Sequence, residues 1–328
     1  MRWGLGSAER RGRLARFLVL YAALYGAYGV LSPVLPGFLA ARGLTPGEIG
    51  LLLAAAGALR LGVGPLAGAF ADRHRAGRSV LAASLALAGL SVLAHLPVVG
   101  LVQMIGPALL YAAGTAAPAP LADALALAGP GGAARAGAPW HGFAALVALP
   151  RFRRTVLVAA LVIGAHAMHD GFAMILWRSA GIAATTAGLL WSVSVAAEVL
   201  VFLLVGPPLL ARIGPVAGVA VAACAGGVRW ALLGSTTAIP WLAAAESLHG
   251  LSFALLHLAC LALIEESTPA DLRTTALALY GTLGLGLSGV AATLASGALY
   301  GAFGAPAFWA MAALSLAALP LVPALRDR

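Results

Sequence analysis

Charge is what this 328-residue sequence has least of. Asp, Glu, Lys and Arg together make up 9% of it, against roughly 25% in an ordinary soluble domain. Lysine is absent, so all 20 basic residues are arginine. With 62% hydrophobic residues and a mean hydropathy of +0.97, there is too little polar surface to cover the apolar material in water. A soluble globular enzyme is excluded. Cysteine is scarce as well: Cys224 and Cys260 both fall inside apolar runs without metal-ligand spacing. Two isolated cysteines make no disulfide framework, and both read as small buried hydrophobes. A net charge of +9 would suggest nucleic acid in a soluble chain. Here the arginines sit in short segments between apolar runs, where the positive-inside rule accounts for them. The expected partners are the lipid bilayer and a small-molecule substrate, with no nucleic acid; the oligomeric state stays open.

What is present is a series of long apolar runs. They cover Arg16–Leu39, Ile49–Ala71, Val80–Leu96 and Val98–Leu127, then Val156–Trp177, Ala187–Leu210, Val216–Leu233, Ile239–Ile264, Thr274–Tyr300 and Ala307–Leu325. A membrane-crossing helix takes about 20 apolar residues, so the pattern predicts an all-α polytopic membrane protein with about ten spans, four followed by six. Residues 1–127 form the predicted N-terminal bundle and 156–328 the C-terminal one. The interval 128–155 between them is rich in Gly and Pro, and its apolar stretch Trp140–Leu149 ahead of Arg151, Arg153 and Arg154 suits an amphipathic helix on the inner leaflet. Of the 20 arginines, only Arg42 and Arg178 face the far side from the N-terminus in this topology, Arg60 and Arg229 lie within spans, and the other sixteen fall on the N-terminal side. That bias predicts both chain ends in the cytoplasm and a bacterial-type inner membrane. No short hydrophobic stretch with a small-residue cleavage site precedes the first run, so a retained N-terminus is expected.

The loop after the second run reads Gly68-Ala-Phe-Ala-Asp72-Arg73 and then Gly77-Arg78. This resembles the cytoplasmic loop signature of the major facilitator superfamily. In physical terms Gly68 allows two helices to approach closely, and Asp72 caps a helix end or pairs with an arginine to latch one conformation. Ordinary positive-inside sequence is the bland alternative. The C-terminal half adds Gly188-Leu-Leu-Trp191-Ser192, Glu198-Val-Leu-Val-Phe202, Arg229-Trp230, Leu248-His249 and His257, and the second run adds Glu48-Ile-Gly50 and Arg60. Together these resemble the phenylpropionate-transporter group of that superfamily, relatives of lactose permease. The resemblance implies twelve spans in two six-helix halves, of which this chain is expected to lack the fifth and sixth. An even deletion keeps the remaining spans in phase, while removing part of the N-terminal bundle and the pseudo-symmetry of alternating access.

Ionisable groups at bilayer depth cost at least ~2.5–3.5 kcal/mol each, so every one asks for a partner or a wet cavity. Glu198, Arg229 and His249 lie on three consecutive spans and are able to neutralise one another. Two readings stand: a proton-coupling network in which His249 or Glu198 exchanges a proton under the influence of Arg229, or a static ion pair. By resemblance, His249 and Arg229 match positions that couple protons in lactose permease, but the acid three residues after the His is Ser252 here. Glu246, His249 and His257 fall within an ~80° arc of one helix at 100° per residue, which reads as cavity-lining; Glu246 is a second proton site or else sits near the outer interface. His166, His169 and Asp170 line a cavity, hydrogen-bond between helices, or supply metal ligands, although their spacing is not that of known zinc helices.

Tyr21, Tyr25 and Tyr28 share one face of the first span, and Tyr111 and Thr115 share one of the fourth. Such hydroxyl-bearing walls suit a substrate with an aromatic body and one polar end, and plain packing gives the same spacing. Arg60 is the counter-charge of a carboxylate substrate, or it pairs with Asp72 or Asp123. Prolines 33, 36, 65, 118 and 120 and the glycines of the penultimate run mark kinks and close packing. The function predicted is proton-coupled symport of a small organic anion such as an aromatic carboxylate, without an organic cofactor and with the proton as coupling ion. Glu198, Arg229 and His249 carry the coupling, Tyr25, Arg60, His166, Asp170, Glu246 and His257 line the cavity, and Gly68, Asp72, Arg73 and Arg78 form the gating loop. The alternatives are a non-transporting scaffold or receptor derived from a transporter, and a membrane-embedded metal enzyme using His166, His169 and Asp170.

Overall fold

The computed structural model describes residues 7–127 and 142–326, and among these it forms helices and connecting turns without a strand. A segment in hydrocarbon must satisfy its own backbone groups, which is what a helix does. The helices are α1 (Ser7–Ala41), α2 (Pro46–His74), α3 (Gly77–Ala94), α4 (Leu101–Ala116), α5 (Pro118–Leu127), α6 (Phe143–Ala148), α7 (Pro150–Gly164), α8 (His166–Ser179) and α9 (Ala184–Leu200). They continue with α10 (Gly206–Ser235), α11 (Ile239–Ser247), α12 (Leu256–Ser267), α13 (Arg273–Leu279), α14 (Ser288–Phe303) and α15 (Phe308–Leu316). Wider π-helical turns at Val201–Val205, Gly250–Leu255 and Tyr280–Leu287 join α9 to α10, α11 to α12 and α13 to α14.

Seven helices among the described residues are long and apolar enough to cross a membrane, fewer than the ten apolar runs. The physical reason lies in where helices join and break. Ala184–Ser235 is one continuous stretch of 52 residues, twice what a crossing needs. It turns at Gly214, whose backbone (φ 78°, ψ 161°) only glycine adopts readily, just ahead of Pro215. The fourth run is divided at Ala117, where Pro118 starts α5, and the last forms a shorter apolar helix over Ala305–Leu321. Pro33, Pro36 and Pro65 lie inside α1 and α2 without interrupting them.

The chain divides into two compact units, one of residues 1–35 and 59–136 and the other of residues 36–58 and 137–328. In the first, Ala71, Leu81, Ala117 and Leu121 form a small core. Small residues set its helix contacts, as expected where lipid gives no hydrophobic drive for association. A β-carbon at Gly114 of α4 would lie 2.5 Å from Ala88 N of α3. At Gly68 it would meet nothing within 4 Å, so the close approach expected there is made at Gly114 instead. In the second unit the core gathers Phe152, Val158, Val162, Val219, Leu256, Cys260 and Leu263. Cys260 is buried, as expected, but Cys224 lies on an exposed face of α10.

The tip of the α1–α2 hairpin belongs to the second unit. Its N-terminal end at α2 is closed by a capping box: Thr45 N donates to Glu48 Oε2 at 2.8 Å and Glu48 N to Thr45 Oγ1 at 3.3 Å. Just beyond, Gly50 of α2 crosses Gly297 of α14 so closely that a β-carbon on Gly297 would stand 2.7 Å from Pro46 O and 2.8 Å from Gly50 Cα. Gly297→Ala is expected to force these helices apart and to lower stability by about 1–3 kcal/mol, the usual penalty of overpacking. Gly289→Ala, with nothing within 4 Å of its β-carbon, is the control and is expected to be neutral or slightly stabilising. Thermal unfolding of both variants in detergent checks the contrast.

Residues 128–141 of the predicted linker lie outside the described residues, as do the side chains of the arginines before Arg16, of Arg135 and of Arg328. The remainder of the apolar stretch forms α6, which is anchored by fully buried Leu146. The arginines that follow are tied into the protein: Arg151 pairs with Glu266 at 2.6 Å, Arg153 donates to Val147 O at 2.9 Å and Arg154 to Ala324 O at 2.7 Å.

Candidate functional site

The second unit holds a polar network built by four apolar spans. Arg229, on α10, is fully buried, and so is Glu246 on α11. Arg229 Nη2 donates to Glu246 Oε2 at 2.9 Å and Nη1 to His249 Nδ1 at 2.8 Å. The guanidinium lies 4.4 Å from the ring centre of Trp230, which replaces water on its face with a cation–π contact. Glu246 and His249 are three residues apart on one helix and therefore face the same neighbour. Beyond His249, its Nε2 lies 3.2 Å from Glu198 Oε2 on α9. On the other flank His169 of α8 stands with Nε2 3.1 Å from Glu246 Oε2 and Nδ1 3.3 Å from Asp170 Oδ1. Four side chains, His249, Arg229, Glu246 and His169, thus link the partly exposed Glu198 to Asp170, whose side chain is 65% exposed.

Glu198, Arg229 and His249 come together as predicted, but the acid that holds Arg229 is Glu246, not Glu198. Glu246 is not near water at an interface: its exposure is zero, because three residues' separation from His249 places it over the buried Arg229. His257 does not share its surroundings either. The π-helical turn Gly250–Leu255 winds more residues per turn than the 3.6 behind the arc prediction, so His249, Phe253 and His257 stack in parallel, 5.3 and 6.5 Å apart, at spacings of four. His257 Nδ1 meets Tyr280 OH at 2.9 Å instead. Gly250 permits this bend by its contact with α9, where a β-carbon would lie 2.3 Å from Ala197 O.

His169 and Ser252 carry more than the sequence suggested. His169 bridges two carboxylates and stacks on Trp191 at 4.7 Å; its position beside Asp170 was the available signal. Ser252, where lactose permease has an acid, faces His166 Nε2 at 3.2 Å, while His166 Nδ1 donates to Val162 O at 3.0 Å. With their ring nitrogens engaged in this way, His166, His169 and Asp170 do not converge on one point, and among the described residues no group of three His, Cys, Asp or Glu side chains is arranged to hold a metal ion.

The first unit carries the other predicted charges. Arg60, midway along α2, donates through Nε to Thr115 Oγ1 at 3.2 Å and lies 5.9 Å from the Tyr111 ring centre. It pairs with neither Asp72 nor Asp123: Asp123 accepts the Tyr21 hydroxyl, and Asp72 is too close to the end of α2 to be reached. Tyr28 OH donates to Thr115 O at 3.1 Å, and Tyr25 stands exposed between Tyr21 and Tyr28, with ring centres 6.0 and 6.2 Å away. In the loop predicted to gate, Asp72, Arg73 and Arg78 are all exposed. Among the described residues no ion pair involves them, so the Asp72–arginine latch is not formed. Instead α2 is closed by its backbone, Ala76 N donating to Ala71 O at 2.9 Å across Arg75 in the left-handed region (φ 51°).

Residues 14–136 and 138–311 match the MFS_1 like family. The chain belongs to this family. Within it, the chain is 36% identical over 183 residues to the "Probable 3-phenylpropionic acid transporter" of Escherichia coli, an overlap of 56% of this chain and 48% of that one. The chain therefore matches about half the length of its curated relative. In fold it is similar to the crystal structures of the nucleoside transporter NupG: a point mutant superposes with a TM-score of 0.82 over 95% of this chain and 99% of the other, and the parent protein with 0.80 over 96% and 99%, each at 14% identity. The fold is accordingly that of an all-α, multi-pass membrane protein of the major facilitator type. Proteins of the MFS_1 like family and these structural relatives are transporters and not enzymes, which removes the metal-enzyme reading.

Proposed function

We propose that this protein carries a small organic anion, most simply an aromatic carboxylate, across a bacterial cytoplasmic membrane in symport with protons, with both chain ends on the cytoplasmic side. The observation that supports it is the charge count of the buried network. Arginine only donates, so His249 accepts from Arg229 at Nδ1, carries its proton on Nε2 and donates it to Glu198. His169 stands between two carboxylates, with Nδ1 hydrogen-bonded to Asp170 and Nε2 3.1 Å from Glu246 without an aligned hydrogen bond, and the two negative charges favour the doubly protonated ring. Arg229 and His169 then balance Glu246 and Asp170. Glu198 is the carboxyl left over, and the interior is neutral when Glu198 carries a proton. Losing that proton leaves an uncompensated charge at a depth where one costs ~2.5–3.5 kcal/mol or more, so proton occupancy biases the conformation that is stable.

The anion is assigned to Arg60. Arg229 is committed to Glu246 at 2.9 Å, whereas Arg60 is in no ion pair among the described residues and lies among the neutral Thr115, Tyr111 and Tyr28. A guanidinium in that setting favours a carboxylate, and the adjoining tyrosines favour an aromatic body. The name of the Escherichia coli relative suggests 3-phenylpropionate as first probe. Orientation rests on the arginine asymmetry of the segments between spans.

Proteoliposomes holding the purified protein test this. Adding 3-phenylpropionate is expected to alkalinise the outside medium, and Arg60→Gln to raise the half-saturating concentration roughly ten- to a hundredfold, the loss of one charge-assisted contact. A flat trace for 3-phenylpropionate and for a panel of aliphatic carboxylates, from folded and correctly oriented protein, would make the chain a non-transporting scaffold descended from a transporter.

A further inference from the structure

The last turn of α4 carries a hydroxyl that holds the guanidinium of Arg60 by one corner. Because α4 ends at Ala116, ahead of Pro118, its closing carbonyls lack partners within the helix. Tyr28 OH on α1 donates to one of them, Thr115 O, at 3.1 Å. One turn beyond Arg60, α2 runs close to the same end of α4: a β-carbon at Gly64 would stand 3.2 Å from Ala116 O. That approach sets Arg60 alongside Thr115 and, one turn earlier on α4, Tyr111. Thr115 Oγ1 directs its single proton at Tyr111 O, 2.8 Å away, with Ala112 O at 3.3 Å. Its lone pairs are thereby left for Arg60, whose Nε donates to Oγ1 at 3.2 Å. The Tyr111 ring centre lies 5.9 Å from the guanidinium carbon. Of the five N–H donors of Arg60, the one on Nε is engaged, and among the described residues the two Nη groups are in no ion pair or hydrogen bond. A guanidinium midway along a span asks for a counter-charge or a wet cavity, and these two nitrogens are the part of it still to be satisfied.

We propose that Thr115 is the positioning residue of the anion site: by holding Nε it makes Arg60 present the edge formed by Nη1 and Nη2, and a planar carboxylate is taken end-on, one oxygen to each nitrogen. The inference rests on the assignment of the anion to Arg60. A carboxylate meets a guanidinium through two parallel N–H···O bonds, formed either across Nε and one Nη or across both Nη groups. The first arrangement needs the proton that Thr115 accepts, so the second is the one left. Thr115 does not touch the substrate in this arrangement. It acts through Arg60, by removing the rotations of a long side chain that would otherwise be frozen only on binding. The hydroxyl is itself held from two sides, by the Tyr111 carbonyl it donates to and by the Tyr28 bond to the backbone of the same residue.

The concentration dependence of 3-phenylpropionate uptake into proteoliposomes separates this role from a structural one. Thr115→Val keeps the β-branched shape and removes the hydroxyl, whereas Thr115→Ser keeps the hydroxyl. Thr115→Val is expected to raise the half-saturating concentration about tenfold, the worth of one hydrogen bond, with the maximal rate within about twofold of the parent. Thr115→Ser is expected to restore half-saturation to within about threefold of the parent. In an Arg60→Gln background, Thr115→Val is expected to add less than about twofold, since no guanidinium is left to position. A further tenfold loss in that background would make Thr115 act independently of Arg60 and overturn the inference. Unchanged half-saturation in Thr115→Val would overturn it too, as would a fall in maximal rate alone, which marks a structural residue. If the parent transports 3-phenylpropionate and Arg60→Gln leaves half-saturation unchanged, the anion assignment fails first and the role of Thr115 goes with it. A parent that takes up no 3-phenylpropionate removes both together.

Discussion

Arg229→Gln and Glu246→Gln are each expected to destabilise the protein by about 3–5 kcal/mol, because either change leaves one buried ion without its partner. Both side chains have zero exposure, and Arg229 Nε and Glu246 Oε1 are already without hydrogen-bond partners among the described residues. Little is available to compensate a further loss. Replacing the pair together, Arg229→Met with Glu246→Leu, is expected to recover more than half of that cost, since apolar residues of similar volume substitute well for a buried pair. The recovery will be incomplete, because His169 then keeps only Asp170. Unfolding in detergent of the parent, the single variants and the double variant completes a double-mutant cycle. A double variant as unstable as the sum of the singles would mean that Arg229 and Glu246 are not each other's main partners. Transport is a separate readout: the double variant is expected to be folded but uncoupled, as it abolishes the charge count on which Glu198 depends.

The contrast between pair and network shows which parts of the molecule the sequence discloses. The apolar runs were legible because a bilayer imposes length and composition on each crossing independently of its neighbours. Gly214 was less so, since glycine is common here and only one backbone angle distinguishes the glycine that ends a helix. Arg229, Glu198 and His249 were visible as rare charges in apolar runs. Their pairing was not, because a choice between Glu198 and Glu246 depends on how α9, α10 and α11 rotate about their axes. The spacing of three between Glu246 and His249 was the usable hint. The π-helical turn at Gly250–Leu255 has no sequence mark beyond a glycine, yet it moves His257 from the Arg229 face to Tyr280. In the other unit, Gly68 looked like a packing glycine through its motif, while the tight contact falls at Gly114 for reasons of helix crossing alone. Thr45 and Glu48 illustrate the reverse case: a Thr with Glu three residues on is a readable helix start, and the two side chains close the end of α2 as that spacing dictates.

Glu198→Gln and His249→Gln are expected to give opposite results, and the difference identifies the atom that carries the proton. Glu198→Gln fixes the side chain in a neutral form. Substrate-driven proton movement should disappear, while exchange of 3-phenylpropionate persists and no longer declines as pH rises, because glutamine has no proton to lose. His249→Gln keeps an acceptor oxygen for Arg229 and an N–H for Glu198, the two functions that the 2.8 and 3.2 Å contacts assign to the imidazole. Coupled transport should therefore survive at a reduced rate. His249→Ala removes both contacts and leaves Arg229 and Glu198 facing each other across a gap, so coupling should be lost. If His249 itself bound the transported proton, His249→Gln would fail as completely as His249→Ala, because glutamine does not titrate. For His249 to take a second proton it must first release Arg229, whose guanidinium occupies Nδ1 and whose other contact is with Glu246. Moving that bond means shifting a guanidinium of zero exposure that is paired with Glu246, whereas Glu198 gains and loses a proton with no change in any contact of Arg229.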